Sequence, residues 1–417
     1  MPRGVSRAGL AGLVRAGESV FLAGGLTPPV PFIEALQADE QSSRALRLTT
    51  MLAPGIVNPF DFSRLHDTVR VSGLFVQPEM REAQRQGRFR ALPMSYGGFL
   101  RHLGEVSFDL GVIQVAPPDA QSRCSLGPSV EFTPAALRRC QRVLALINPR
   151  IPSLPNSVSL DYERFDHVHE IDWALPDYRV DSDEPTRMIA GHIAAQVRDG
   201  STLQTGIGKV PTALALALRS HRRLRIHSGM VSDGIVDLAE SGALDADAVH
   251  TAGVAAGTAR LYDWLPHAGG LRLAGCDDTH GATALASLQG FVAVNSALEV
   301  DLLGQCNLEH AQGRAVSGAG GAPDFARAAR LSPGGLSVVA LNASYRNGSV
   351  SRIVAALAPG AVVSIARMDV DLVVTEFGVA DLRGASVHDR ARALTAVAAP
   401  TFREELERAW TLRARAL

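Results

Sequence analysis

The sequence predicts an α/β protein with mostly parallel sheets, and three observations carry that expectation. Short apolar runs alternate with alanine- and leucine-rich ones: SVFLAGG precedes PVPFIEALQA, and STLQTGIG precedes VPTALALALRS. Strand followed by helix, repeated, is the pattern of parallel sheets joined by crossover helices. The strand-like runs FDLGVIQVA, RVLALINPR, GFVAVNSALEV and VVSIARMDVDLVVTEFG are apolar on both faces, as sheets covered on each side by helices require. Finally, AGLVRAGESVFLAGGLTPPVPFIEALQA resembles IAAQVRDGSTLQTGIGKVPTALALAL. Each reads as helix, turn, strand, glycine-rich loop, proline and helix, which suggests two copies of one α/β unit.

At 417 residues the chain exceeds one ordinary core. Around residues 150 to 185 the alternation gives way to NPRIPSLPNSVSLDYERFDHVHEIDWALPDYRVDSDEP, rich in proline and acids, before RMIAGHIAAQVRDG restarts a helix. This segment reads as a linker between an N-terminal α/β domain over 1–180 and a C-terminal one over 181–417.

With 46% hydrophobic and 20% charged residues, the composition is that of an ordinary globular protein. A formal charge of −1 gives no reason to expect nucleic acid or an anionic membrane as partner, and the runs RSHRRLR and RRCQR read as solvated helix ends. Cys124, Cys140, Cys276 and Cys306 lack metal-ligand spacing, and the N-terminus lacks the apolar core of a signal peptide. The expectation is a reduced, cytoplasmic protein that binds no metal. No apolar run approaches the ~20 residues that span a bilayer.

Several segments have the composition of ligand sites. Gln204-Thr205-Gly206-Ile207-Gly208-Lys209 follows a strand and opens a helix, where glycines let backbone N–H groups approach an anion. As a lone GxG it reads equally as a tight turn. Ser317-Gly318-Ala319-Gly320-Gly321 is a second glycine cluster, and gathered backbone donors of this kind form anion nests or oxyanion holes. Asn295, Glu299 and Asp301 interrupt an apolar run and read first as structural. Glu376 stands at a strand's C-terminal end, where α/β ligand sites gather, with an ion pair to Arg383 as the competing reading for it or Asp381. IHSGMVSD, residues 226–233, offers serine, histidine and acid together, but neither a GxSxG elbow nor HExxH spacing occurs.

In this order and spacing, QTGIGKVPTAL, HSGMVSDGIVDLAESGAL, VNSALEVDLLGQCN, SGAGGAPDFARAA and VVTEFGVADLRG resemble the acetyl-CoA hydrolase/transferase family, densely from about residue 185 to 400. GGLTPPVPFIEAL and VIQVAPPDAQSRCSLG extend the resemblance more loosely into the first half. It implies two tandem domains of the class I CoA-transferase type, acyl-CoA with a small carboxylate or water as substrates, and a homo-oligomer. By the same resemblance Gln204, Gly206, Ile207 and Gly208 line the coenzyme A site, while Gly318, Gly320 and Gly321 supply backbone donors near the thioester oxygen.

Two departures bear on mechanism. Where this chain has Gly229, the transferases carry the glutamate that becomes a glutamyl-CoA thioester in ping-pong exchange. Glycine cannot do this. His280, aligned by the unbroken fifteen-residue step to Asn295, stands where the family usually has an asparagine that helps bind the oxyanion. A nucleophile lost and a group titrating near neutrality gained suggest that His280 acts as a general base on water or an acceptor. A histidine held only by structural hydrogen bonds is the plainer reading. The alternatives are conventional carboxylate CoA-transfer using Glu299, Glu376 or another acid, a biosynthetic acyl-CoA reaction on the same fold, and a non-catalytic coenzyme A-binding subunit.

Overall fold

The computed structural model describes residues 1–52, 56, 60–154 and 156–416; Pro155 of the expected linker lies outside them. The chain forms two compact units. The first comprises Met1–Tyr178, Thr251–Gly281 and Val316–Gly320, the second Arg179–His250, Ala282–Ala315 and Gly321–Leu417.

Unit 1 is built on eight strands: β1 (Arg3–Gly4), β2 (Ser19–Leu22), β3 (Arg47–Thr50), β4 (Arg70–Gly73), β5 (Phe89–Ala91), β6 (Phe108–Val115), β7 (Cys140–Ile147) and β8 (His167–Glu170). Their order is β1-β8-β7-β6-β2-β3-β4-β5, and every pair is parallel. The central strands are buried almost throughout, as continuous apolar runs in a doubly covered sheet should be. Helix α1 (Val30–Ala38) follows β2, and α2 (Tyr96–Glu105) precedes β6. Ser95 caps α2 by accepting the N–H of Gly98. From β2 the chain moves outward through β3, β4 and β5, then returns to lay β6 on the other side of β2. The winding therefore reverses between β2 and β6.

Six strands of unit 2 repeat the pattern: β9 (Thr202–Gln204), β10 (Arg225–Val231), β11 (Phe291–Ser296), β12 (Leu336–Ala340), β13 (Leu372–Thr375) and β14 (Gly378–Asp381). They run in the order β10-β9-β11-β12-β13-β14, parallel except for the last pair. Helix α3 (Glu184–Ala194) is capped by Asp183, and α4 (Lys209–Ala217), α5 (Gly234–Glu240), α6 (Ala322–Leu331), α7 (Val387–Val397) and α8 (Pro400–Arg413) follow. Phe291 and Ala293 pack on Phe325 and Ala329 of α6. Here the winding reverses between β9 and β11.

Three expectations need correction. The segment read as a linker contains the strand Ser159–Asp161 and β8, which pairs with β7, and its longest irregular stretch is residues 171–183. AGLVRAGE, residues 11–18, forms only the three-residue 3₁₀ turn Ala11–Leu13, because its glycines do not sustain a helix. Of VVSIARMDVDLVVTEFG only Leu372–Thr375 and the first residue of β14 are strand, with a 3₁₀ turn at Arg367–Asp369. The apolar period had hidden this break.

The loop after β2 is held by close approach. A Cβ on Gly24 would overlap the carbonyl group of Met51, at the end of β3, whereas one on Gly206, in the equivalent loop after β9, would meet nothing within 4 Å. Gly24→Ala should therefore cost about 3 kcal/mol or more, and Gly206→Ala less than about 1 kcal/mol. Urea unfolding of the two variants checks this; equal midpoints would contradict it.

Candidate functional site

In α/β sheets, ligands settle outside the carboxyl ends of the strands where winding reverses. Both units place polar groups there.

In unit 2, Gln204 ends β9 and is only 4% exposed. Its Nε2 donates to the Thr205 carbonyl at 3.1 Å, and its Oε1 has no hydrogen-bond partner among the described residues. The register pairs Gln204 with Ala293. Strand alternation then puts Gln204 and Asn295 on one face, and the buried Nδ2 of Asn295 also lacks a partner among the described residues. An unmatched acceptor and an unmatched donor thus flank the crevice, each costly to leave unpaired. Gly206 and Gly208 bring backbone against open space, Ile207 is half-buried between them, and Gly208, at φ +113°, caps the N-terminus of α4. Its orphan N–H groups suit an anion. Lys209 beside them is engaged by Asp183 at 2.7 Å.

IHSGMVSD forms the end of β10 and the turn into α5. Ser228 is fully buried, with its hydroxyl 2.7 Å from the Met230 carbonyl and 3.0 Å from that of Thr205. It anchors the glycine loop and is no nucleophile. The ring of His227 packs edge-on against Phe291. Gly229 is half-buried within the strand.

The other acids are occupied. Asp301 is buried and accepts from the backbone N–H groups of Leu303 and Gln305, Glu299 accepts from Asn307, and Glu376 accepts the Ala343 N–H at 2.8 Å. Asp381 pairs with Arg383.

In unit 1, the strip 251–281 fastens the segment Ser129–Glu131: the N–H of Val130 donates to Gly253, and the N–H of Cys276 to Glu131. Ser129 Oγ accepts the Leu26 N–H at 3.2 Å, locking the loop after β2 against this segment. At Gly25, φ +59°, a Cβ would strike Ser129 Oγ and stand 3.1 Å from Glu131 Oε2. Only glycine fits. Glu131 itself holds φ +41°, a left-handed backbone rare for a side chain of its size. Its carboxyl makes no hydrogen bond among the described residues, and burial pushes its pKa up to about 8. Tyr96 lies close by, its phenol held well above the usual range first by burial and then by Glu131 and Cys276.

His280 follows the short helix Cys276–Thr279, is 3% exposed, and its ring centre lies 4.7 Å from that of Tyr96. The hydroxyl of Thr279 donates to the Gly275 carbonyl at 3.3 Å and lies 2.8 Å from His280 Nδ1. Gly318 is required by contact, since a Cβ there would overlap Leu74, and Gly320, at φ +59°, faces Phe75 and Tyr96. The Gly320 carbonyl accepts the Tyr96 N–H, while Gly321 caps α6 in unit 2.

The structure thus gathers Gly318, Gly320 and His280 in unit 1, and Gln204, Gly206, Ile207 and Gly208 in unit 2, where Gly229 also lies. Sequence reasoning passed over Glu131 and Tyr96. An acid inside the apolar stretch SVEF was the available signal.

Family models described as the acetyl-CoA hydrolase/transferase N-terminal and C-terminal domains match residues 4–178 and 257–410. The chain belongs to the acetyl-CoA hydrolase/transferase family. It is 31% identical to a 4-hydroxybutyrate coenzyme A transferase of Clostridium kluyveri, over 93% of this chain and 92% of that protein. It is 32% identical to a succinyl-CoA:cyclohexane-1-carboxylate CoA transferase of Geobacter metallireducens, over 96% and 93% respectively. Among solved structures, a 4-hydroxybutyrate CoA-transferase of Porphyromonas gingivalis superposes with a TM-score of 0.80 at 26% identity, covering 99% of this chain and 98% of that one. This member of the acetyl-CoA hydrolase/transferase family is accordingly an enzyme of the CoA-transferase and acyl-CoA hydrolase kind.

Burial of Glu131 carries a signature in stability. Below its ordinary value of 4.5 the carboxyl is protonated in both folded and unfolded chains; between 4.5 and about 8 only the unfolded chain ionises, so stability is lost as pH rises. Relative to Glu131→Gln, the natural protein should lose on the order of a few kcal/mol between pH 5 and pH 8. Denaturant unfolding at the two pH values measures it; a constant difference would refute the neutral buried acid.

Proposed function

We propose that this enzyme opens a short-chain acyl-CoA thioester by direct attack of water or an acceptor, without a glutamyl-CoA intermediate. The observation that carries the reading is Gly229: β10 presents no side chain where the resemblance places the family's nucleophile. Glu299 and Glu376 are poor substitutes, each already accepting a hydrogen bond within unit 2.

Coenzyme A fits the unit 2 crevice. The α4 N-terminus and the open backbone at Gly206 and Gly208 suit an anionic group, and the unmatched Gln204 Oε1 and Asn295 Nδ2 suit an amide, which offers both a donor and an acceptor. By the resemblance, the backbone donors at Gly318, Gly320 and Gly321 serve the thioester oxygen, and His280 takes the role of base. In hydrolysis, the water oxygen bonds to the carbonyl carbon as His280 Nε2 takes its proton. The carbon–sulfur bond then breaks, the sulfur recovers that proton, and an acid and free coenzyme A leave.

Thiol release from a panel of short acyl-CoA thioesters should fall about 100-fold in His280→Ala, the ordinary worth of a general base; equal rates would remove His280 from the mechanism. Intact-protein mass spectra after incubation with acyl-CoA should show the natural chain unmodified and Gly229→Glu carrying a coenzyme A adduct. An adduct on the natural chain would overturn the reading.

A further inference from the structure

Of the 41 lysines and arginines in the chain, Lys209 is the only lysine. It opens α4, directly after Gly208, at the crevice of unit 2. A cation in the first turn opposes the helix dipole and is unfavourable there unless an anion lies beside it. No acid stands in the first turn of α4 and no side chain caps it, so its leading N–H groups stay open. The helix end is not the only polar feature of the crevice. Gln204 and Asn295, 4% and 8% exposed, keep Oε1 and Nδ2 unmatched among the described residues.

The anion beside Lys209 is Asp183, whose Oδ2 lies 2.7 Å from Nζ. The pair is loosely held. Its side chains are 57% and 42% exposed, and ion pairs so open to water contribute little. Asp183 also has a second task, since its Oδ1 accepts the N–H and the hydroxyl of Thr186 and so caps α3. Those bonds keep the carboxylate matched when the ammonium leaves. A compact ammonium on a flexible stem can swing between partners, whereas a guanidinium would grip a carboxylate through two parallel bonds. In a chain that otherwise uses arginine, lysine at this one position suits a cation that changes partner.

We infer that Lys209 leaves Asp183 to bind a phosphate group of coenzyme A seated on the N-terminus of α4. This rests on the reading of the unit 2 crevice as the coenzyme A site. Phosphate supplies the concentrated negative charge that an ammonium and open backbone N–H groups together favour. The pyrophosphate and the 3′-phosphate of coenzyme A share that chemistry. Lys209 is then a binding residue that takes no part in bond making, and every group invoked lies in unit 2.

The test is calorimetric binding of coenzyme A, 3′-dephospho-coenzyme A and pantetheine, which lacks both phosphate groups, with circular dichroism as the check on folding. Lys209→Met, similar in shape but neutral, should weaken coenzyme A about 10-fold, the worth of one hydrogen bond to a charged group, and leave pantetheine unchanged. Lys209→Arg, which keeps the charge but grips Asp183, should lie between the two. Asp183→Asn, which keeps the α3 cap and releases Lys209, should tighten coenzyme A about twofold. A loss in Lys209→Met that persists with 3′-dephospho-coenzyme A assigns the partner as the pyrophosphate; a loss that vanishes there assigns it as the 3′-phosphate. The sole lysine also reports directly. After isotopic reductive methylation, which keeps the charge, the magnetic-resonance signal of Lys209 should shift with coenzyme A and stay in place with pantetheine.

Natural protein that binds coenzyme A while Lys209→Met binds it within twofold, or weakens pantetheine equally, would overturn the role of Lys209 and leave the functional reading standing. A natural protein that binds no coenzyme A would overturn that reading of the crevice, and the role of Lys209 with it.

Discussion

A parallel sheet whose winding reverses must open a gap between neighbouring strand ends, because the connections leave them toward opposite faces. In this protein that happens between β2 and β6 and again between β9 and β11. Gly25 with Glu131 lies at the first gap, and Gln204 with Asn295 at the second. Each is entered by a glycine loop: Gly24-Gly25 after β2 lies tight against Met51, Ser129 and Glu131, while Gly206 and Gly208 after β9 stand against open space. The first loop is a packed wall and the second an open cradle, although the sequence writes both as strand, glycines, proline and helix.

The polar side chains at the gaps are buried at a cost the core does not recover. Gln204 Oε1 and Asn295 Nδ2 lack partners among the described residues, and Glu131 is held neutral by desolvation. Such groups destabilise the folded chain by an amount a ligand can return on binding, which is how a binding site differs from a well-satisfied core. Asp371, by contrast, is matched in the usual way, accepting from the Ser337 N–H and from Arg330.

Much of this was legible in the sequence. The doubly apolar runs gave the parallel strands, and the similar openings of the two halves foretold two sheets of like winding. Boundaries were less legible: β8 lay hidden in a segment rich in proline and acids, because HVHE carries little hydrophobic signal for an edge-side strand. Of the site, the loop Gln204–Gly208 was visible as glycines between strand and helix. Glu131 was not, since its environment is tertiary. Its isolation depends on Gly25, about a hundred residues earlier, and on the strip 251–281, more than a hundred residues later. Ser228 beside a histidine looks chemical, but the sequence sets no GxSxG elbow around it, and its hydroxyl is committed to backbone carbonyls.

The central claim is that the thioester is attacked directly and no protein carboxyl becomes acylated. Turnover in water enriched in the heavy oxygen isotope, followed by mass analysis of proteolytic peptides and of the released acid, tests it most directly. The account predicts no label in any peptide, and label in the released acid where water is the attacking group. Label in a peptide carrying Glu131, Glu299 or Glu376 would contradict it, because it would mean that a protein carboxyl had exchanged oxygen through a covalent intermediate.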